Sequence, residues 1–142
     1  MGIKQLSIFI ENRKGHLATL TDALRRENID IRAISVFDTS EYGILRMVVD
    51  FPDRALKVLE KEGFTAKISD VLAIEPEDQP GSLCEIFKIL DKNDIDIEYI
   101  YSFVLRKRGM PLIILKVNHQ EKGIQVLQNA GIKVVSKEEV YE

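Results

Sequence analysis

The pattern of apolar and polar positions divides the first half of the chain into strands and helices. Apolar residues alternate with polar ones at residues 3–10, a period of two that predicts a β-strand with one buried face. At residues 16–27 leucines recur at intervals of three and four, which predicts an amphipathic helix. The rest of this half is predicted to form strands at residues 31–38 and 43–51, a helix at 54–62 and a short strand at 64–68.

The second half of the chain repeats the first. Sliding the sequence by 66 positions places Gly15 over Gly81 and Phe37 over Phe103. Each copy has the order βαββαβ, so the predicted fold class is α+β, with two ferredoxin-like sandwiches in tandem. We expect these domains, residues 1–69 and 70–142, to pair into one extended antiparallel sheet, because units of about 70 residues bury little core alone. The second copy is predicted to form strands at residues 71–75, 97–105, 112–117 and 132–135 and helices at 82–92 and 121–130.

The composition narrows the classes of function. The chain has 142 residues, 45% of them hydrophobic, and a net charge of −3 with acidic and basic residues interspersed. Because no long-range positive field would attract a phosphate backbone, nucleic acid is not an expected partner. The apolar runs are too short to span a membrane and the start of the chain lacks a signal-peptide core, which favours a cytoplasmic protein without membrane contact. The single cysteine, Cys84, agrees with a reducing compartment and is expected to be a small buried helix residue.

The residues that usually carry catalysis and metal binding are scarce. The two histidines, His16 and His119, do not correspond in the repeat. The sequence contains no Ser/His/Asp set, no zinc-type spacing of cysteine and histidine, and no glycine-rich nucleotide loop. We therefore expect no catalytic residues, no metal and no cofactor, and we do not expect the chain to be an enzyme.

The polar feature that does repeat is the turn between the first strand and the first helix of each copy. Asn12 and Gly15 in the first copy correspond to Asp78 and Gly81 in the second. Glycine lets a ligand approach the backbone, and the free N–H groups at the helix start suit a carboxylate. The side chain of Asn12 or Asp78 could accept hydrogen bonds from an ammonium group, so the turn suits a small zwitterion. The alternative is purely structural, since Asn and Asp are good capping residues and glycine is a good turn former.

The turn and its surroundings also resemble a known family. The pattern Asp-x-Pro-Gly-x-Leu at residues 78–83, followed by Asn-Asp-Ile-Asp-Ile at residues 93–97, is similar to the ACT domain, the amino-acid-sensing module of metabolic enzymes. The resemblance covers essentially the whole chain, twice over. The first copy departs from it at Lys14, where the family prefers proline. Otherwise the first copy carries the same pattern at Asn12, Gly15, Leu17 and residues 28–31.

The resemblance implies where a ligand would bind. In ACT proteins, domains pair side by side into an eight-stranded sheet, and amino acids bind between the glycine turn of one domain and its partner. A free amino acid is thus the implied ligand, and His16 beside the first glycine could donate a hydrogen bond to its carboxylate. The implied ligand-binding residues are Asn12, Gly15, His16, Leu17 and Ile31 in the first copy and Asp78, Gly81, Ser82, Leu83 and Ile97 in the second.

The resemblance favours a stand-alone regulatory protein that senses an amino acid and modulates a separate metabolic enzyme. The alternative is a ligand-free regulatory or structural subunit of an amino-acid biosynthetic enzyme such as acetolactate synthase. A third hypothesis, an enzyme built on the same sandwich, lacks any set of side chains to carry the chemistry.

One difference between the copies predicts self-association. The second strand of the second copy carries Tyr99, Tyr101 and Phe103 on one face, where the first copy has the small residues Ala33 and Ser35 at the first two positions. These aromatics are predicted to lie on the sheet face opposite the helices, and an exposed aromatic row on an otherwise bare face typically marks an interface. We therefore expect a homodimer through this face. The alternative is that the aromatics are satisfied within a single chain.

Overall fold

The computed structural model describes residues 2–11, 15–38, 42–105 and 109–141. The longest helices have 11 residues, and no helix in these four stretches is long and apolar enough to cross a membrane. In chain order the elements are β1 (Ile3–Glu11), α1 (His16–Arg26), β2 (Ile31–Asp38), β3 (Tyr42–Val49), α2 (Pro52–Lys61), β4 (Thr65–Glu75), α3 (Ser82–Lys92), β5 (Ile97–Val104), β6 (Pro111–Val117), α4 (Gln120–Asn129), β7 (Lys133–Val135) and α5 (Lys137–Tyr141).

The chain divides into two compact units, each built from the order βαββαβ. The N-terminal unit comprises Lys4–Ser69, and the C-terminal unit comprises the chain from Asp70 onward together with its first residues. Strands lie in the order β2-β3-β1-β4 in the N-terminal unit and β5-β6-β4-β7 in the C-terminal unit. These are two versions of one ferredoxin-like arrangement with antiparallel neighbours. The predicted α+β fold class is confirmed.

The strand β4 corrects the predicted elements at the junction of the two copies. The sequence predicts separate strands at residues 64–68 and 71–75, whereas the structure has one uninterrupted strand over Thr65–Glu75. This segment contains no glycine or proline, so nothing in it breaks the extended backbone. The prediction of two strands is wrong, because β4 is both the last strand of the N-terminal sheet and the first strand of the C-terminal sheet.

The core of the N-terminal unit lies between its sheet and its two helices. In the antiparallel register of β1 and β3, Leu6 pairs with Met47 and Ile8 pairs with Leu45, and all four side chains are fully buried. Burying a side chain of this size contributes about 1.5–3 kcal/mol. This packing, more than helix propensity, holds the short helices in place. The helices add Leu20, Leu24, Ala55 and Leu59 to the cluster.

The core of the C-terminal unit repeats this arrangement. Leu72 and Ile74 of β4 form one buried cluster with Ile86 and Leu90 of α3. The two buried residues of α3 lie one helical turn apart, and Cys84 lies outside that stripe and is exposed. The prediction that Cys84 is buried is therefore wrong.

The predicted aromatic row lies on the expected face but is not exposed. Tyr101 pairs with Ile114 and Phe103 with Leu112 across β5 and β6. The alternate residues of β5 pair with members of the core cluster, so the row lies on the face opposite the helices. However, Ile114 and Leu112 are fully buried, and Tyr99, Tyr101 and Phe103 are half-buried. The prediction of a bare face with an exposed aromatic row is wrong, because the row is half-buried and its cross-strand neighbours are fully buried.

The short helix α5 has no counterpart in the first copy. The N–H group of Glu139 donates to Oγ of Ser136 at 3.3 Å, and that hydroxyl lies 3.4 Å from Oε1 of Glu139. A serine followed three residues later by glutamate is the spacing of a capping box. Val140 is only 2% exposed, so a buried side chain and a cap together hold this helix.

Candidate functional site

The two glycine turns have the same backbone conformation. Gly15 has φ 88° and ψ −7°, and Gly81 has φ 89° and ψ −5°. Both conformations lie in the left-handed region, which glycine adopts freely and a residue with a Cβ atom does not. A Cβ atom added to either glycine would meet no atom within 4 Å. The backbone conformation therefore requires glycine, and the space beside it is open.

Each glycine is the N-cap of the helix that follows, and no side chain among the described residues caps the start of α1 or α3. The N–H groups of Thr19 and Glu85 donate to the carbonyl oxygens of Gly15 and Gly81, each at 3.0 Å. Amides earlier in the first turn have no acceptor within the helix, and in α3 the N–H group of Ser82 donates to the carbonyl oxygen of Gln79 in the preceding turn, at 3.3 Å. Asp78 does not cap α3, so the alternative that this carboxylate serves as a helix cap does not hold. The alternative role of glycine as a turn former is confirmed.

The apolar residues predicted for the site differ in exposure. Leu17 and Leu83, at corresponding positions in the first helical turns, are 44% and 37% exposed, so neither is part of the core. Ile31 and Ile97 are half-buried and pack against the core clusters of their units. Ser82 is also half-buried. Each turn therefore has one exposed leucine beside it, while Ile31 and Ile97 pack against the core.

His16 is the first residue of α1 and packs against an aromatic ring. Its ring centroid lies 6.0 Å from that of Phe64, with an angle of 83° between the ring planes. Nδ1 of His16 is buried and has no hydrogen-bond partner within the described part of the chain. If His16 donates to a ligand carboxylate, Nε2 is the nitrogen that remains to do so. Asn12, the other polar residue predicted for this turn, lies outside the described residues.

A cavity of about 570 Å³ lies in the C-terminal unit. It is lined by residues 75–78, where β4 ends, by residues 109–111, where β6 begins, and by residues 131–133, between α4 and β7. Asp78 is the one predicted site residue among these lining residues, and Gly81 does not line the cavity. Of the predicted site residues, this cavity therefore involves Asp78 alone.

Charged and apolar groups share the wall of this cavity. Nζ of Lys133 lies 3.5 Å from Oε2 of Glu75 and 3.4 Å from Oε2 of Glu139. Oε1 of Glu75 is buried without a hydrogen-bond partner in the described chain. Met110 and Ile132 contribute apolar surface. Among the described residues, no group of three or more His, Cys, Asp or Glu could hold a metal ion.

Sequence reasoning missed the cavity because its three lining segments are far apart in the chain. A signal was nevertheless present. In a βαββαβ unit, the end of the first strand, the turn of the hairpin and the connection into the last strand lie at one end of the sheet, so residues 75–78, 109–111 and 131–133 could have been grouped from the element order.

Comparison with known proteins gives the family. All of residues 1–142 match the family model described as an ACT domain pair. Protein BT0572 from Bacteroides thetaiotaomicron has a similar structure over 100% of this chain and 97% of that chain, with 33% sequence identity and a TM-score of 0.91. The ligand-free regulatory subunit of aspartate kinase from Thermus thermophilus is similar in fold over 89% of this chain and 91% of that chain, with 18% identity and a TM-score of 0.64.

One curated relative is similar over part of the chain. A stretch of 82 residues, 58% of this chain, is 30% identical to the protein translocase subunit SecA of Desulforapulum autotrophicum. The match spans 9% of the length of that relative, so it says nothing about this chain's activity. The duplicated βαββαβ order, the paired glycine turns and the match over the whole chain agree with one another. The chain belongs to the family of ACT domain pairs, a regulatory ligand-binding fold.

Proposed function

We propose that this protein binds a free amino acid at its glycine turns and that binding regulates a separate metabolic enzyme. The observation that carries the proposal is the duplication of an uncapped helix start behind a left-handed glycine, at Gly15 and at Gly81. The N-terminus of a helix carries an effective charge of about +0.5, and its free N–H groups bind anions. The carboxylate of the amino acid therefore belongs at these amides.

The groups around the second turn suit the rest of an amino acid. Asp78 is exposed three residues before Gly81, and an exposed pair of a carboxylate and an ammonium group contributes about 0.2–1 kcal/mol. Leu83 offers exposed apolar surface for the ligand's side chain, as Leu17 does at the first turn. The first copy has the neutral Asn12 in place of Asp78. We therefore propose two sites of unequal affinity, with the second site the tighter one.

A second copy of the chain is proposed to complete each site, as the domain pairing of ACT proteins implies. β2 and β5 are end strands of their sheets, and unpaired edges of this kind associate readily. They expose Ile34 and Val36 at 47% and 46%, and Ile100 and Val104 at 42% and 57%. The homodimer is therefore proposed through these edges, instead of through the half-buried row that includes Tyr101.

Regulation would follow from linkage between ligand binding and domain pairing. A ligand that bridges two domains binds the paired arrangement more tightly than a loosened one, so it shifts the population toward pairing. Coupling free energies of this kind are typically about 1–3 kcal/mol. The similarity in fold to a regulatory subunit of aspartate kinase supports the regulatory part of the proposal. The regulated enzyme is proposed to be a separate chain in the cytoplasm.

The second candidate is a ligand-free regulatory or structural subunit of an amino-acid biosynthetic enzyme, for example of acetolactate synthase. Lys14 favours this candidate, because the first turn lacks the proline that the family prefers there. The exposed apolar edges of β2 and β5 would then contact the enzyme instead of a second copy.

A thermal-shift screen against the proteinogenic amino acids, tested one at a time, separates the two candidates. A ligand at 100 times its Kd stabilises the folded protein by about 2.7 kcal/mol, which raises the Tm of a chain of this size by several degrees. The matched control is the amide of the same amino acid, which lacks the carboxylate that the helix amides would bind. A ligand-free subunit gains no stability from any amino acid, and a gain that is equal for the amide would contradict the proposed site.

A further inference from the structure

The cavity of the C-terminal unit has the size of a small-molecule site. Its volume of about 570 Å³ falls within the range of about 300–1,000 Å³ that ligand pockets occupy. Such pockets combine apolar walls with a few placed polar groups. Here Met110 and Ile132 supply the apolar surface, and Glu75, Glu77, Asp78 and Lys133 supply the charge.

The charges of the lining favour a cation over an anion. Among the described lining residues three carboxylates accompany one ammonium group, and Lys133 is shared between Glu75 and Glu139 at 3.5 Å and 3.4 Å. Neither distance is that of a short charge-assisted hydrogen bond, which is about 2.7–2.9 Å. The ammonium group of Lys133 already interacts with two carboxylates, so it attracts an anionic ligand only weakly.

Glu75 lacks a second donor. One of its carboxylate oxygens, Oε2, lies near Lys133, while Oε1 is buried without a hydrogen-bond partner in the described chain. The side chain of Glu75 is 16% exposed, and the terminal torsion of a glutamate is broad, so its two oxygens exchange places readily. Because Oε1 has no exposed surface, a donor in the cavity would bind Glu75 only after the carboxylate turns, adding a hydrogen bond that the protein alone does not supply.

The donor is best supplied by an organic amine. A metal ion needs several converging ligands, and no described cluster of three or more His, Cys, Asp or Glu provides them. The apolar walls at Met110 and Ile132 add surface that a hydrated metal ion would not use but an aliphatic stem would.

Part of the charged lining is particular to the second copy, whereas Glu77 corresponds to Glu11 of the first copy. At the position of Glu75 the first copy has Phe9, and at the position of Lys133 it has Thr65. The first copy folds into the same sandwich without these charges, so the fold itself does not require them.

We propose that this cavity binds an aliphatic primary amine, with the ammonium group held by Glu75 and Glu77 and the stem between Met110 and Ile132. This site goes beyond the amino-acid site proposed above, because Gly81 and Ser82 do not line the cavity, although Asp78 belongs to both sites. Variants at Gly81 and at Glu77 distinguish the two sites.

The probe is pentane-1,5-diamine, added to the full chain in an amine-free buffer, with pentane-1,5-diol as the neutral control of equal length. Backbone amide NMR signals of Gly109 and Gly131 report on the cavity because both glycines line it. Gly43 and Gly63, their counterparts in the first copy, serve as internal controls. The diamine should shift the first pair saturably and leave the second pair in place, while the diol should shift neither. Equal shifts with the diol, or no shifts with the diamine, would overturn the proposal.

Variants separate this site from the glycine turn. Glu77→Gln should weaken diamine binding by about threefold to tenfold, and because Glu77 is exposed the substitution leaves the core intact. Glu121→Gln removes the same charge from an exposed position on α4 and should leave binding unchanged. Gly81→Val should also leave diamine binding unchanged while it impairs amino-acid binding. If Glu121→Gln weakens binding as much as Glu77→Gln, the effect is one of net charge and the proposal fails, and it fails equally if Gly81→Val abolishes diamine binding.

Discussion

Replacing Gly81 with valine tests the glycine turn through the backbone alone. Gly81 has φ 89°, and a side chain added there would meet no atom within 4 Å. The substitution therefore causes strain without a steric clash. A residue with a Cβ atom in this region costs about 1–3 kcal/mol, which lowers the Tm of a chain of this size by roughly 3–10 °C. The strain is relieved only when the turn moves and takes the first amides of α3 with it, so affinity for the amino acid identified by thermal shift should fall at least about tenfold at the tighter site.

Gly63 provides a matched control. It follows α2 with the same φ of 89° and equally open space, but it lies at the end of a helix and not at the start of one. Gly63→Val should lower Tm about as much as Gly81→Val and leave the affinity unchanged. Isothermal calorimetry on the two variants and the unmodified protein gives the comparison. If both variants lose affinity equally, general destabilisation explains the loss and the assignment of the turn as the binding site is refuted.

Three further predictions concern other parts of the chain. Ser136→Ala removes the cap of α5 and should cost about 1 kcal/mol, seen as faster hydrogen exchange confined to that helix. Ile34→Lys places a charge on the exposed edge of β2 and should shift the mass measured by light scattering from dimer to monomer, whereas an unchanged dimer would exclude this edge. The pKa of Asp22 is lowered by its hydrogen bond from Arg25, at 2.6 Å. Because the folded pKa of Asp22 lies below the unfolded value, this pair stabilises the fold at pH values above the unfolded pKa, and the stabilisation is lost as the pH falls through the folded pKa. Arg25→Gln should return the pKa of Asp22, measured by NMR, toward its ordinary range.

The elements with strong local signals could be predicted from the sequence. The helix expected at residues 82–92 has the same bounds in the structure, because a glycine requires the turn before it and Ile86 and Leu90 fix its buried face. The same signals recur in the first copy. The fold class could be predicted from the repeat, because each of the two copies separately indicates the same βαββαβ order.

What covers a sheet face could not be predicted from local pattern. Alternation along β5 correctly placed Tyr101 and Phe103 on one face, but alternation is the same whether that face meets solvent or protein. The continuity of β4 could not be predicted from the repeat, because the repeat ends one copy and begins the next within a segment that contains no breaking residue.

The candidate site was only partly accessible to sequence reasoning. Gly15 and Gly81 could be identified because their conformation demands glycine and their position recurs. The cavity wall that contains Glu75 and Lys133 could not be identified from the sequence, because it is formed by three segments that approach one another only in the folded unit. The α5 helix is an intermediate case, since Ser136 and Glu139 carry a capping-box spacing that was present in the sequence.

The amide NMR signals of Gly15 and Gly81 during titration with the amino acid identified by thermal shift test the central claim most directly. The account predicts that both signals shift saturably, with Gly81 saturating first, and that the signal of Gly123, which lies within α4, stays in place. Shifts that appear elsewhere in the chain while Gly15 and Gly81 do not move would contradict it.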